Sequence, residues 1–107
     1  MRANPFAGEV VLQLDGQEHR CKLTLGALAE LETTLEAGTL IALISRFESE
    51  AFSASDIFQV IYAGLRGGGW RGRAEDLITA DIGGGPVEAA RVAAQLLHVA
   101  FTPPGAE

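Results

Sequence analysis

Lysine occurs once, at Lys22, and lysine and arginine together number 8 against 14 acidic residues, for a formal net charge of −6. Binding to a nucleic-acid backbone draws on clustered positive charge, so nucleic acid is excluded as a partner class. Cysteine also occurs once. Cys21 has no second thiol for an internal disulfide and no close histidine pair to help hold a metal, so it reads as a small buried hydrophobe, and neither metal nor cofactor is expected. Long apolar runs are missing too: the apolar residues come in stripes interrupted by Glu, Arg and Gly, and none approaches the roughly 20 residues that span a bilayer. Behind Met1-Arg2-Ala3-Asn4-Pro5 there is no apolar core of a signal peptide. No membrane contact and a cytoplasmic location are expected.

What is present is enough apolar side chain for one core. Hydrophobic residues make up 48% of 107 positions, which sustains one compact core and is too short for two ordinary domains. Apolar positions run from Val10 to Phe101. A single domain over 1–107 is therefore expected, ordered over about 6–101, with short flexible ends that include Pro103-Pro104.

The strongest local signal is Glu9-Val10-Val11-Leu12-Gln13-Leu14, then Asp15-Gly16, then Gln17 to Leu25. Asp-Gly supplies the positive φ angles of a tight two-residue hairpin. The register follows: Leu14 faces Gln17, Leu12 faces His19, Val10 faces Cys21 and Glu9 faces Lys22. One face then carries Val10, Leu12, Leu14, His19, Cys21, Leu23 and Leu25. The other is polar apart from Val11, so the ribbon should cover a core on one side.

Helices follow. Thr24 can cap one with Leu28, Leu31 and Leu35 at helical spacing, stopped by Gly38. Thr39 can cap a second, apolar around much of its circumference (Leu40, Ile41, Leu43, Ile44, Phe47) and so expected to be well buried. Ser53 and Asp56 imitate a capping box ahead of Ile57, Val60, Ile61, Gly64 and Leu65, and Gly67-Gly68-Gly69 ends that third helix. A short helical turn is expected at about Glu75 to Ala80. After Gly83-Gly84-Gly85, Pro86 suits the first turn of a last helix with the stripe Val87, Ala90, Ala94, Leu97 and Phe101. The fold class is α+β: an N-terminal two-stranded β-hairpin followed by a cluster of four to five α-helices.

Chemistry-bearing patterns are few. Gly67-x-Gly69-x-x-Gly72 has dinucleotide-fingerprint spacing, but it follows a helix rather than a strand and reads as a flexible turn. Gly83 to Gly85 lacks the Lys-Ser/Thr of a phosphate-binding loop. His19 and His98 read as partly buried structural residues, and a thiolate paired from Cys21 and His19 would need an open sheet face. Glu30, Glu32, Glu36, Glu48 and Glu50 read as solvated helix surface. No catalytic residue is identified. Arg66, Arg71 and Arg73 lie within eight positions that contain no acid, beside Trp70. Arg and Trp are enriched where interfaces carry energy, so Arg66, Trp70, Arg71 and Arg73 are the candidate partner-binding residues; the competing reading is a surface loop with Trp70 folded back on the core.

Three segments together carry a resemblance: Leu23-Thr24-Leu25-Gly26-Ala27-Leu28-Ala29-Glu30-Leu31-Glu32, the start Asn4-Pro5-Phe6-Ala7-Gly8-Glu9-Val10, and Phe52-Ser53 leading to Ala63-Gly64-Leu65-Arg66-Gly67-Gly68-Gly69. With its Ala-rich last helix ending near Ala100-Phe101, the chain resembles the tail assembly chaperones of phage-like gene transfer agents from about Asn4 to Phe101. The resemblance implies a small non-enzymatic morphogenesis protein. It would bind the tape measure protein and keep it soluble while tail tube protein polymerises around it, which makes tape measure protein and tail tube protein the implied partners. The same family has been described as a tail tube or minor tail component, so a structural tail protein is the alternative, and self-association stays open. A small hydrolase or nucleotide-binding protein is a distant third. Trp70-Arg71-Gly72-Arg73 matches no family pattern.

Overall fold

The computed structural model describes residues 8–35 and 39–102. The Asn4-Pro5-Phe6 motif, Glu36, the Gly38 helix stop and the Pro103-Pro104 end lie outside them.

Strand β1 (Glu9–Leu14) pairs antiparallel with β2 (Gln17–Lys22) in the register that the Asp-Gly turn dictates: Glu9 with Lys22, Val10 with Cys21, Leu12 with His19, Leu14 with Gln17. Asp15 and Gly16 both have positive φ, 52° and 82°, so the two-residue turn follows the right-handed twist of the strands. Val10, Leu12, Leu14, Cys21 and Leu23 are buried on the inner face. Leu25 departs from the expected row and is 84% exposed. The strand ends at Lys22 and Thr24 caps the next helix, so the two-residue alternation stops before it reaches Leu25.

Helix α1 (Leu25–Thr34) starts where Thr24 Oγ1 accepts the Ala27 N–H at 3.1 Å, and it buries Ala27 and Leu31. It ends at Thr34, ahead of the glycine expected to stop it. Thr33 and Thr34 hydroxyls donate to the Glu30 and Leu31 carbonyls at 2.7 and 2.8 Å, a local competition with the helical ladder by two β-branched residues. Helix α2 (Leu40–Glu48) is capped by Thr39 as expected, but its burial is narrower than its composition suggests. Only Leu43 and Phe47, one turn apart, are buried, and Ile41 is 78% exposed. The helix lies at the margin of the core, where one stripe finds partners.

Helix α3 (Ala54–Gly67) is central, burying Val60, Ile61, Ala63, Gly64 and Leu65 between the hairpin, α1 and the last helix. Its capping box is complete: Ser53 Oγ accepts the Asp56 N–H and Asp56 Oδ2 accepts the Ser53 N–H, both at 3.0 Å. Arg46, in the last turn of α2, adds a bidentate contact to Asp56 at 2.9 and 3.0 Å. Gly67 and Gly68, at the end of α3, are more than a flexible turn. A Cβ on Gly67 would lie 1.9 Å from the Lys22 carbonyl oxygen, and one on Gly68 1.8 Å from that of Arg20. These glycines let the end of α3 press on the β2 backbone, a close approach that no other residue type permits.

Helix α4 (Ala74–Ile78) is short, and α5 (Gly85–Phe101) carries Pro86 in its first turn. The face that α5 turns inward differs from the expected one: Ala89, Val92, Ala93, Leu96 and Leu97 are buried, while Val87 is 83% exposed. Of the expected stripe only Leu97 is buried. Both stripes have helical spacing; the buried one brings small Ala89 and Ala93 and long Leu96 against α3, where Leu96 fills the space beside Gly64. Between α4 and α5 the chain also joins the sheet. Leu14 bridges Ile82, the Asp15 N–H donates to the Asp81 carbonyl at 2.8 Å, and the Gly83 N–H donates to the Gln13 carbonyl at 3.0 Å.

Candidate functional site

Cys21 is fully buried on the inner sheet face, and burial pushes its thiol up to about 12. The thiolate required of a nucleophile is suppressed there. His19, two residues earlier, is half-buried, and His98 is exposed on α5, which corrects the expectation of a partly buried residue. Leu97, its neighbour, takes the inward position instead. Among the described residues no group of three His, Cys, Asp or Glu side chains is placed to hold a metal.

Asp56 is the buried charged residue of the core margin, and its surroundings account for it. The Arg46 guanidinium hydrogen-bonded to it holds its carboxyl below the usual range, reinforced by the Ser53 N–H. It ties the end of α2 to the start of α3, a structural joint. The sequence announces the Ser53-Asp56 half of it; the contribution of Arg46, ten positions away, depends on how the two helices meet. Glu30, Glu32, Glu48 and Glu50 are exposed, Glu30 in an ion pair with Arg66 at 3.2 Å.

The candidate partner-binding residues come together in part. Arg66, on the last turn of α3, pairs with Glu30 and lies over the Tyr62 ring, 5.7 Å from its centroid. Trp70 meets Tyr62 edge-on at 6.4 Å and is half-buried against the core, with Gly72 lying against its indole. Arg71 and Arg73 are exposed, and their side chains meet no carboxylate among the described residues. The Arg73 backbone N–H donates to Asp76 Oδ2 at 2.8 Å, starting α4. Two of the four are thus fixed by internal partners and two point outward with their charge available.

A feature missing from the sequence reading adjoins them. Helices α3, α4 and the start of α5 enclose an open apolar groove of about 480 Å³ with Ile61, Leu77 and Ala89 at its base and Phe58, Ile78 and Pro86 along it. Ile78 is 69% exposed. Phe58 stacks on Tyr62 at 6.5 Å, so an aromatic row, Phe58, Tyr62 and Trp70, runs from this groove to the arginine loop. Only the spacing Phe58-x-x-x-Tyr62 hinted at it.

The described residues thus offer a half-open apolar groove with an aromatic row and exposed arginines beside it, the kind of surface by which proteins bind other proteins. A family model described as phage tail tube protein, GTA-gp10 matches residues 7–102, and the chain belongs to that family. It is a phage-type tail morphogenesis protein and not an enzyme. No curated protein and no solved structure matches it significantly. Among the described residues no helix is long and apolar enough to cross a membrane.

Proposed function

We propose that this protein is a tail assembly chaperone of a gene transfer agent, binding the tape measure protein during tail morphogenesis in the cytoplasm. The observation that carries the reading is the exposed apolar groove and aromatic row on an otherwise acidic surface. Shielding a sticky helical client requires apolar contact on one side and net charge on the other, so that loaded complexes repel one another. Arg66, Trp70, Arg71 and Arg73 form part of the client-binding surface in this reading. Co-expression with the tape measure protein of the same particle tests it. The expected outcome is a soluble complex that survives gel filtration; tape measure protein that stays insoluble at every expression ratio would remove the chaperone reading.

The family description, with its words tail tube, supports a second reading as a structural tail component. Extension of the sheet from copy to copy is hindered at part of each edge of the hairpin. Residues 81–83 occupy the β1 edge at Gln13–Asp15, and the end of α3 covers the β2 carbonyls of Arg20 and Lys22.

A further inference from the structure

We propose that the α3–α4–α5 groove and the aromatic row beside it seat one amphipathic helix of the client, with its basic end at Asp81 and its acidic end at Arg71 and Arg73. This placement rests on the chaperone reading above.

The form of the occupant follows from what the groove lacks. Strand addition needs a free backbone edge, and the backbone bordering the groove is already engaged. Asp81 and Gly83 exchange hydrogen bonds with Gln13 and Asp15, Ile82 bridges Leu14, and the Arg73 N–H that opens α4 is taken by Asp76. What remains is a half-open apolar groove between helices, lined by Phe58, Ile78 and Pro86, a surface of the kind that takes the i, i+3, i+4 and i+7 side chains of an amphipathic helix.

Its direction follows from charge. Asp81 is the one charged residue lining the groove among the described residues, and its carboxylate accepts no internal hydrogen bond there. At the other end of the aromatic row stand Arg71 and Arg73, exposed and without a carboxylate partner among the described residues. Ring centroids step 6.5 Å from Phe58 to Tyr62 and 6.4 Å from Tyr62 to Trp70, so aromatic side chains link the groove that holds Asp81 to the loop that holds Arg71 and Arg73. A helix with Asp or Glu in its first turn and Lys or Arg in its last complements both ends, and that charge order also agrees with its own dipole.

The test uses the full chain co-expressed with the tape measure protein, with Ile78→Asp, Asp81→Arg and the pair Arg71→Glu and Arg73→Glu as variants, and Ile41→Asp on α2 as control. All five positions are exposed, and unchanged melting temperatures establish that the variants fold; if Ile78→Asp melts lower, Ile78→Ser replaces it. Recovered complex should fall roughly tenfold or more for Ile78→Asp and roughly three- to tenfold for each charge reversal, with the control unchanged. If wild type forms the complex and all the groove variants retain it, the placement is wrong and the chaperone reading stands. If wild type forms none, the chaperone reading fails and the placement with it. Loss with Ile78→Asp but with neither charge reversal would overturn the assigned polarity. A concentration-dependent dimer of the isolated chain that Ile78→Asp abolishes would give the groove to a second copy and overturn the proposal.

Discussion

Asp56 does two things with one carboxylate: it closes the N-terminal cap of α3 and it receives both nitrogens of the Arg46 fork. Replacement by Ala removes a cap and a charge-assisted pair together, and should cost about 2 kcal/mol in thermal or urea unfolding. The pH dependence has a definite sign. The carboxyl is held below its ordinary value in the folded state, so its contribution is complete above the unfolded value of about 3.9 and is lost as pH falls through the lower, folded one. The stability gap between wild type and Asp56→Ala should therefore narrow on acidification below about pH 4. Cys21 offers a second check at this scale. With its thiol buried and raised to about 12, a bulky thiol reagent at pH 8 should modify the native protein far more slowly than the urea-unfolded chain. Rapid stoichiometric labelling would mean that the inner face of the hairpin is open.

The elements divide by how firmly the core holds them. Helix α3 touches the hairpin, α1 and α5, whereas α2 is anchored by Leu43, Phe47, the Phe47–Phe52 stack at 4.8 Å and the Arg46–Asp56 joint. The face of α5 is the sharpest element-scale test, because two stripes compete in its sequence. Leu96→Ala removes a fully buried side chain from the contact with α3 and should cost about 2–5 kcal/mol, whereas Val87→Ser on the exposed side should change stability by less than about 0.5 kcal/mol. The opposite ranking in denaturant unfolding would restore the stripe through Val87, Ala90 and Ala94.

For the molecule as a whole the question is whether it stays with the particle. A chaperone leaves when its client is enclosed, and a structural component accumulates in fixed proportion. Quantitative mass spectrometry of purified particles should find this chain far below one copy per tail subunit. Stoichiometric abundance would favour the structural reading.

The sequence alone determined the hairpin register, the Thr24, Thr39 and Ser53 caps and the order of elements, because each rests on contacts between residues a few positions apart: a two-residue turn, a hydroxyl over its own first helical turn. Arg66 and Trp70 stand close in the sequence, but their shared contact with Tyr62 emerges only from the structure. Only the tertiary structure decided which of two equally spaced stripes α5 turns inward, how little of α2 is covered, why Gly67 and Gly68 are glycine, and that Phe58, Ile78 and Pro86 share one groove. Those outcomes depend on the volume and shape that distant segments present to one another, as Leu96 does to Gly64 and the β2 carbonyls to the end of α3, and periodicity along one helix carries no information about either.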